Sequence, residues 1–212
     1  MITPPPPAEI YHALVSHEHI EEIAGGLGLG LPPGYRLIYV ASRLNDDQFE
    51  IALINDYTAE VAYYNQVAIV HYKDLECRAA AQQRVWRSFN QQHKAALRDL
   101  PSMVLFGYIL ARYDVILSDN IQTGEGRHFW KAEMSEALYR KRYVYHYQLT
   151  TGELQHIRTN PELAHLSDQI WGSAQNHESR LAIIASKPLP RIVHLRLDEC
   201  ADVSVGTGLG DW

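Results

Sequence analysis

Cysteine is scarce: Cys77 and Cys200 are the only two in 212 residues. They lie far apart without a metal-type spacing, so ordinary thiols in a reducing compartment are the reading, not a disulfide framework or a thiolate metal centre. No stretch approaches the roughly 20 apolar residues that a membrane span needs. The N-terminus carries prolines, ITPPPP, where a signal peptide would carry an apolar run. A cytoplasmic location is therefore expected. A positive excess is also missing: the net charge of -6 argues against a sequence-independent nucleic-acid binder.

The short motifs of familiar chemistry are absent as well. GGLGLGLPPG, residues 25–34, contains GxGxG, but no strand precedes it and no helix follows, so it reads as a glycine and proline hinge and not as a dinucleotide site. His17 and His19 lack the i, i+4 spacing of a helical metal pair. His128, His146, His156 and His165 are too dispersed to imply a zinc centre, and no metal is expected. Ser118 beside Asp119 lacks the GxSxG context of a hydrolase nucleophile, and the pair reads as a turn cap.

What is present is an ordinary globular composition, 46% hydrophobic and 21% charged, in a chain long enough to bury a core. Its organising stretch runs from Leu100 to Tyr147. Pro101 and Ser102 open a helix whose apolar face is Val104, Leu105, Tyr108, Ile109 and the stem of Arg112. Asp114 to Leu117 is a short apolar run between polar residues, as a central strand requires. Ser118 to Gly126 is a polar, permissive turn, the kind of loop at a strand end where open α/β sheets place ligands. A second helix to about Tyr139 and an alternating strand from Arg142 to Gln148 complete an αβαβ unit.

Around this unit, Ala8 to Ala24 carries Ile10, Leu14, Ile20 and Ile23 at weakly helical spacing and stops at Gly25 and Gly26. Tyr35 to Ser42 and Phe49 to Ile54 flank Asn45, Asp46 and Asp47, predicting an antiparallel hairpin. Ala59 to Tyr72 supplies one long strand or two short ones. Residues 76–98 are rich in Ala, Gln, Arg and Leu, which favours helix, although Val85, Trp86 and Phe89 also suit a strand. Thr151 and Gly152 form a turn, Pro161 to Trp171 a short helix, and Leu181 to Ser186 and Arg191 to Leu197 two strands. The chain has 13 Tyr against 4 Phe. Tyr143, Tyr145 and Tyr147 alternate on one strand face, which lines a cleft, meets a partner, or packs on the core with its hydroxyls outward.

The order of elements and the string VILSDNIQTGEGRHFW, followed by a helix and a strand ending VYHY, resemble the second half of GCN5-related N-acetyltransferase domains, particularly the small divergent ones of bacteriophages. The resemblance implies an α/β fold with a mixed, largely antiparallel sheet flanked by helices. The resemblance implies an acyltransferase domain over 35–150, preceded by an N-terminal leader, helix and hinge over 1–34 and followed by a C-terminal extension over 151–212, both read from the residues themselves. Acetyl-CoA would be the acyl donor and an amine, including a protein lysine, the acceptor. The start of the first helix, Ser102, Met103 and Val104, would cradle the pyrophosphate with Arg98 as a phosphate partner. The family's Arg or Gln followed by glycines is replaced here by RDLPS. The family's tyrosine acid corresponds to Trp130, whose indole is no acid, so Asp119, His128 and Tyr145 are the candidates to replace it. The same alignment places a strand near Val85 to Gln91, against the helical propensity of that region. The alternative is a non-catalytic protein of the same fold that binds and modulates a host protein through the tyrosine-rich face, in the bacterial host cytoplasm if phage-encoded.

Overall fold

Alternating apolar residues separated by compact turns build the strands that open this chain's sheet. In the computed structural model, which describes residues 7–71, 79–117, 124–171 and 180–190, strands β2 (Tyr35–Ala41) and β3 (Gln48–Asn55) form the expected antiparallel hairpin. Its turn is closed by Asn45, whose carbonyl accepts from the Gln48 amide at 3.0 Å and whose side chain accepts from the Asp47 amide at 3.4 Å. Ala59 to Tyr72 yields one long strand, β4 (Glu60–Val70).

Helix α1 (Pro7–Val15) is shorter than the sequence pattern implies. The chain turns after Ser16, and Ile20–Glu22 becomes edge strand β1, paired with β2. Ile20 joins the cluster around Leu14 while Ile23 joins the opposite cluster with Leu37. Their helix-like spacing was therefore a coincidence of two residues on opposite faces of an extended chain.

The helical preference of residues 76–98 is overturned too: Ala79–Arg87 is strand β5. The realised strand overlaps the segment implied by the resemblance only at Val85–Arg87 and begins earlier. Ala79, Ala80 and Ala81 are paired on both edges, and this pairing overrides a propensity worth well under 1 kcal/mol per residue.

The central unit follows as α2 (Leu100–Met103) continuing into a π-helical turn Val104–Ile109, β6 (Asp114–Leu117), α3 (Gly124–Tyr139) and β7 (Tyr143–Gln148). Beyond it come β8 (Glu153–Ile157), which the sequence did not suggest, α4 (Asn160–Trp171) and β9 (Arg180–Ala185). The entrance of α4 is a T-x-x-E box in which Thr159 Oγ1 accepts from the Glu162 amide at 3.3 Å. The expected strand Arg191 to Leu197, both cysteines and the Ser118–Thr123 part of the polar turn lie outside the described residues.

Among the described residues nine strands form one open sheet in the order β1-β2-β3-β4-β5-β6-β9-β7-β8. Every pairing is antiparallel except β5 with β6. The sheet runs unbroken across residue 150, with β9 inserted between β6 and β7. On one face pack α2, α3 and α4, through Leu100, Val104, Ile109, Trp130, Met134 and Leu163. On the other face Leu14 of α1 sits among Ile38, Val40, Ile54 and Tyr64. That same face carries Ile116, Tyr145, Tyr147, Leu181 and Ile183 farther along. Of the readings open for the tyrosines, packing on the core is realised by Tyr145 and Tyr147, 5% and 1% exposed, but without the outward hydroxyls, while Tyr143 stays half-buried.

The glycine and proline stretch 25–34 is laid against the sheet by Leu27, Leu29 and Leu31. Gly107 makes room for it: a Cβ there would meet Leu27 Cδ2 at 2.8 Å. Gly34 is constrained twice, by φ of +85° and by the Tyr57 ring, which a Cβ would meet at 2.5 Å. Gly34→Ala is expected to cost about 1–3 kcal/mol in urea unfolding. Adding Tyr57→Ala should recover the steric part and leave the dihedral part.

One charged network lies inside the α1 face. Glu50, 1% exposed, accepts from Arg43 Nε at 2.6 Å and from Arg43 Nη2 at 2.5 Å, and Tyr64 donates its hydroxyl to the same carboxylate. Burial and the Glu50 carboxylate raise the Tyr64 hydroxyl's pKa, keeping it a donor. A cleft of about 510 Å³ beside this network is lined by Glu9, Ile10, Arg43, Tyr64 and Arg84 among others.

Candidate functional site

The parallel pair at the middle of the sheet is short. β5 and β6 share three register pairs, Ala79↔Asp114, Ala80↔Val115 and Ala81↔Ile116. From Gln82 to Arg87, β5 has β4 as its only strand neighbour among the described residues. A register shift between Gln66 and Val67 puts an extra residue into β5 at the point of parting, and such a bulge bends and twists its strand. The result is a notch at the carboxyl ends of two parallel strands, where main-chain donors and acceptors lose their partner strand.

The chain leaving β5 is fastened to the sheet before it becomes helix. The Ser88 amide donates to the Ala62 carbonyl at 2.8 Å. His93, 2% exposed, shares a 2.8 Å hydrogen bond between its Nδ1 and the Tyr35 hydroxyl, and its Nε2 lies 3.6 Å from the Glu60 carboxylate. Asp99 then takes φ of +56°, a left-handed conformation uncommon outside glycine, and the helix begins. Its first turn passes into the π-helical segment, closed by the Leu110 amide on the Leu105 carbonyl at 2.8 Å. Such segments recur at functional sites.

A polar group of four residues lies on this helix-covered face. Ser102 Oγ donates to the two Glu133 oxygens at 3.2 and 3.3 Å. Glu133 is 6% exposed; burial pushes its pKa up, and the Ser102 hydrogen bond only partly opposes this. On β4, Asn65 Nδ2 donates to the Tyr63 hydroxyl oxygen at 3.1 Å. The Tyr63 hydroxyl's pKa is raised by burial and, to a lesser extent, by the Glu133 charge, so the two halves of the group sense each other. Asn65 Oδ1 is fully buried without a hydrogen-bond partner. A buried acceptor left open costs about 1–3 kcal/mol, a cost that a donor on a bound molecule would remove.

The sequence candidates are scattered by comparison. His128 is exposed on α3. Tyr145 is on the opposite face of the sheet from α3, where its hydroxyl accepts from the Leu189 amide at 3.1 Å. Asp119 lies outside the described residues. Neither His128 nor Tyr145 belongs to the Glu133 group. Trp130 is a core residue, 7% exposed. Arg98 is exposed just before the helix start, Ser102 and Met103 are half-buried, and Val104 is fully buried. The Met103 amide is bonded to the Asp99 carbonyl at 2.9 Å and the Val104 amide to those of Leu100 and Pro101.

Sequence reading missed Glu133, Tyr63 and Asn65, although the signal was there. Trp130, Met134 and Ala137 make the buried stripe of α3, and Glu133 falls inside it, where an acid has no structural reason to be. Asn65 similarly interrupts the inward alternation Tyr63, Asn65, Val67.

Fold and site together define a mixed α/β protein with a large, mostly antiparallel open sheet flanked by helices and parted at its one parallel pair. Among the described residues no helix is long and apolar enough to cross a membrane. No family model, no curated protein and no solved structure matches this chain.

Proposed function

We propose that this chain transfers the acetyl group of acetyl-CoA to an amine, a protein lysine among the possible acceptor classes, on a fold resembling the GCN5-related N-acetyltransferases. The observation that carries the reading is the parting of β5 from β6, followed through residues 88–99 by the helix start at Leu100. An open strand edge offers main-chain hydrogen bonds to an extended amide-containing arm. The sequence of strand, loop, helix, strand, helix and strand from Ala79 to Gln148 is the one the resembled family uses. Glu133 is the base in this reading. The amine nitrogen bonds to the thioester carbonyl carbon, the C–S bond breaks, the amine proton passes to Glu133, and the departing thiolate takes a proton from water. Asn65 Oδ1 supplies an acceptor that orients the amine.

One observation favours a second reading, a non-catalytic protein of this fold that binds a partner protein, in the host if the chain is phage-encoded. Of the four residues expected to hold the pyrophosphate, Met103 and Val104 have their amides committed within the helix and Ser102 turns its hydroxyl to Glu133. Arg98 remains the exposed cation. Calorimetric titration with acetyl-CoA and coenzyme A at physiological salt separates the two. Saturable binding at roughly micromolar concentration is expected. Absence of binding up to about 1 mM by a folded sample overturns acetyl transfer and leaves the second reading.

A further inference from the structure

Away from the parted strands, three adjacent strands present a polar floor on the helix-covered face. Their register sets Gln148 of β7 between Glu153 of β8 and Arg180 of β9, and His146 between Gln155 and Ala182. His146, Gln148, Thr151, Glu153, Gln155 and Arg180 line a cleft of about 330 Å³. That size is at the small end of ligand sites. His146 is 8% exposed, and its Nε2 is buried without a hydrogen-bond partner. Burial, and then the neighbouring Arg180, depress the His146 pKa, so its ring is neutral at pH 7 and presents one donor and one acceptor nitrogen. Strand spacing of about 4.8 Å puts the Glu153 and Arg180 backbones about 10 Å apart, within reach of two long side chains converging over Gln148.

We infer that this cleft is a binding site for a free α-amino acid, whose carboxylate faces Arg180, whose ammonium faces Glu153, and whose polar atoms complete the hydrogen bonding of His146. A simple anion would meet the Glu153 charge and a simple cation the Arg180 charge; a ligand bearing opposite charges on adjacent groups is complementary to both. Gln148, Gln155 and Thr151 provide neutral groups around the same space. The inference stands apart from acetyl transfer.

The test is calorimetric titration of the full chain with each common L-amino acid, repeated for the tightest binder with its N-acetyl and C-amide forms. Saturable binding of at least one free amino acid is expected below about 1 mM, with each blocked form weaker by at least about tenfold. Arg180→Gln should abolish the preference for the free carboxylate, and Glu153→Gln the preference for the free ammonium. The His146 ring resonances should move on binding. Two results overturn the site: no saturation by any common amino acid up to about 10 mM, or binding that neither variant alters while circular dichroism shows both folded.

Discussion

Arg43→Met is expected to destabilise the protein by about 3–5 kcal/mol, because it leaves Glu50 as an uncompensated charge inside the α1 face. Glu50 is 1% exposed, and the Arg43 side chain 21% exposed, so water reaches the guanidinium far more readily than the carboxylate. The pair is close and bidentate, and Tyr64 occupies a further site on the same carboxylate. Removing both charges, as in Arg43→Met with Glu50→Leu, should recover most of the loss, since a well-packed apolar pair often equals a buried ion pair. Urea unfolding of the two singles and the double gives the coupling directly. A loss below about 1 kcal/mol for Arg43→Met would mean the pair behaves as an exposed one.

Glu133→Gln should lower acetyl-transfer turnover by roughly a hundred- to ten-thousand-fold, the usual contribution of a positioned general base, with acetyl-CoA affinity retained. The same change should make the protein more stable at neutral pH. The folded-state pKa of Glu133 lies above the ordinary glutamate value of about 4.3, because burial disfavours the ionised form. Its contribution is therefore fully present below that ordinary value and is lost as pH rises through the higher folded value. Wild type minus Glu133→Gln should accordingly show stability falling across that window, while the variant lacks this component. Asp114, also raised by burial, contributes with the same sign to both proteins and cancels in the difference. Unchanged turnover in the variant would remove Glu133 from the reaction. A flat stability difference would mean that Glu133 ionises in the fold as easily as in the unfolded chain.

Much of the architecture could be read from local patterns because the relevant forces are local. The Asn45–Asp47 turn, the alternation of β2 and β3, the stripe of α3 and the T-x-x-E entrance of α4 each rest on residues within a few positions of one another. Two readings failed where pairing partners far away in sequence decided the outcome. Ala79 to Ala81 became strand because β4 and β6 hold both edges, and Ile20–Glu22 became strand because β2 offers an edge there.

The site divides in the same way. The sequence alone determined that a helix start at Pro101 and Ser102, a strand, a second helix and a further strand follow one another, and that neither a metal centre nor a nucleotide fingerprint is indicated by its spacings. Only the tertiary structure decided that β5 parts from β6 after three residue pairs, that Ser102 meets Glu133 across 31 positions, and that Tyr145 belongs to the opposite face. The physical reason is that burial and charge pairing depend on what lies across the fold. Glu133 is one acid among many in the chain, and its altered ionisation arises from the core that closes over it.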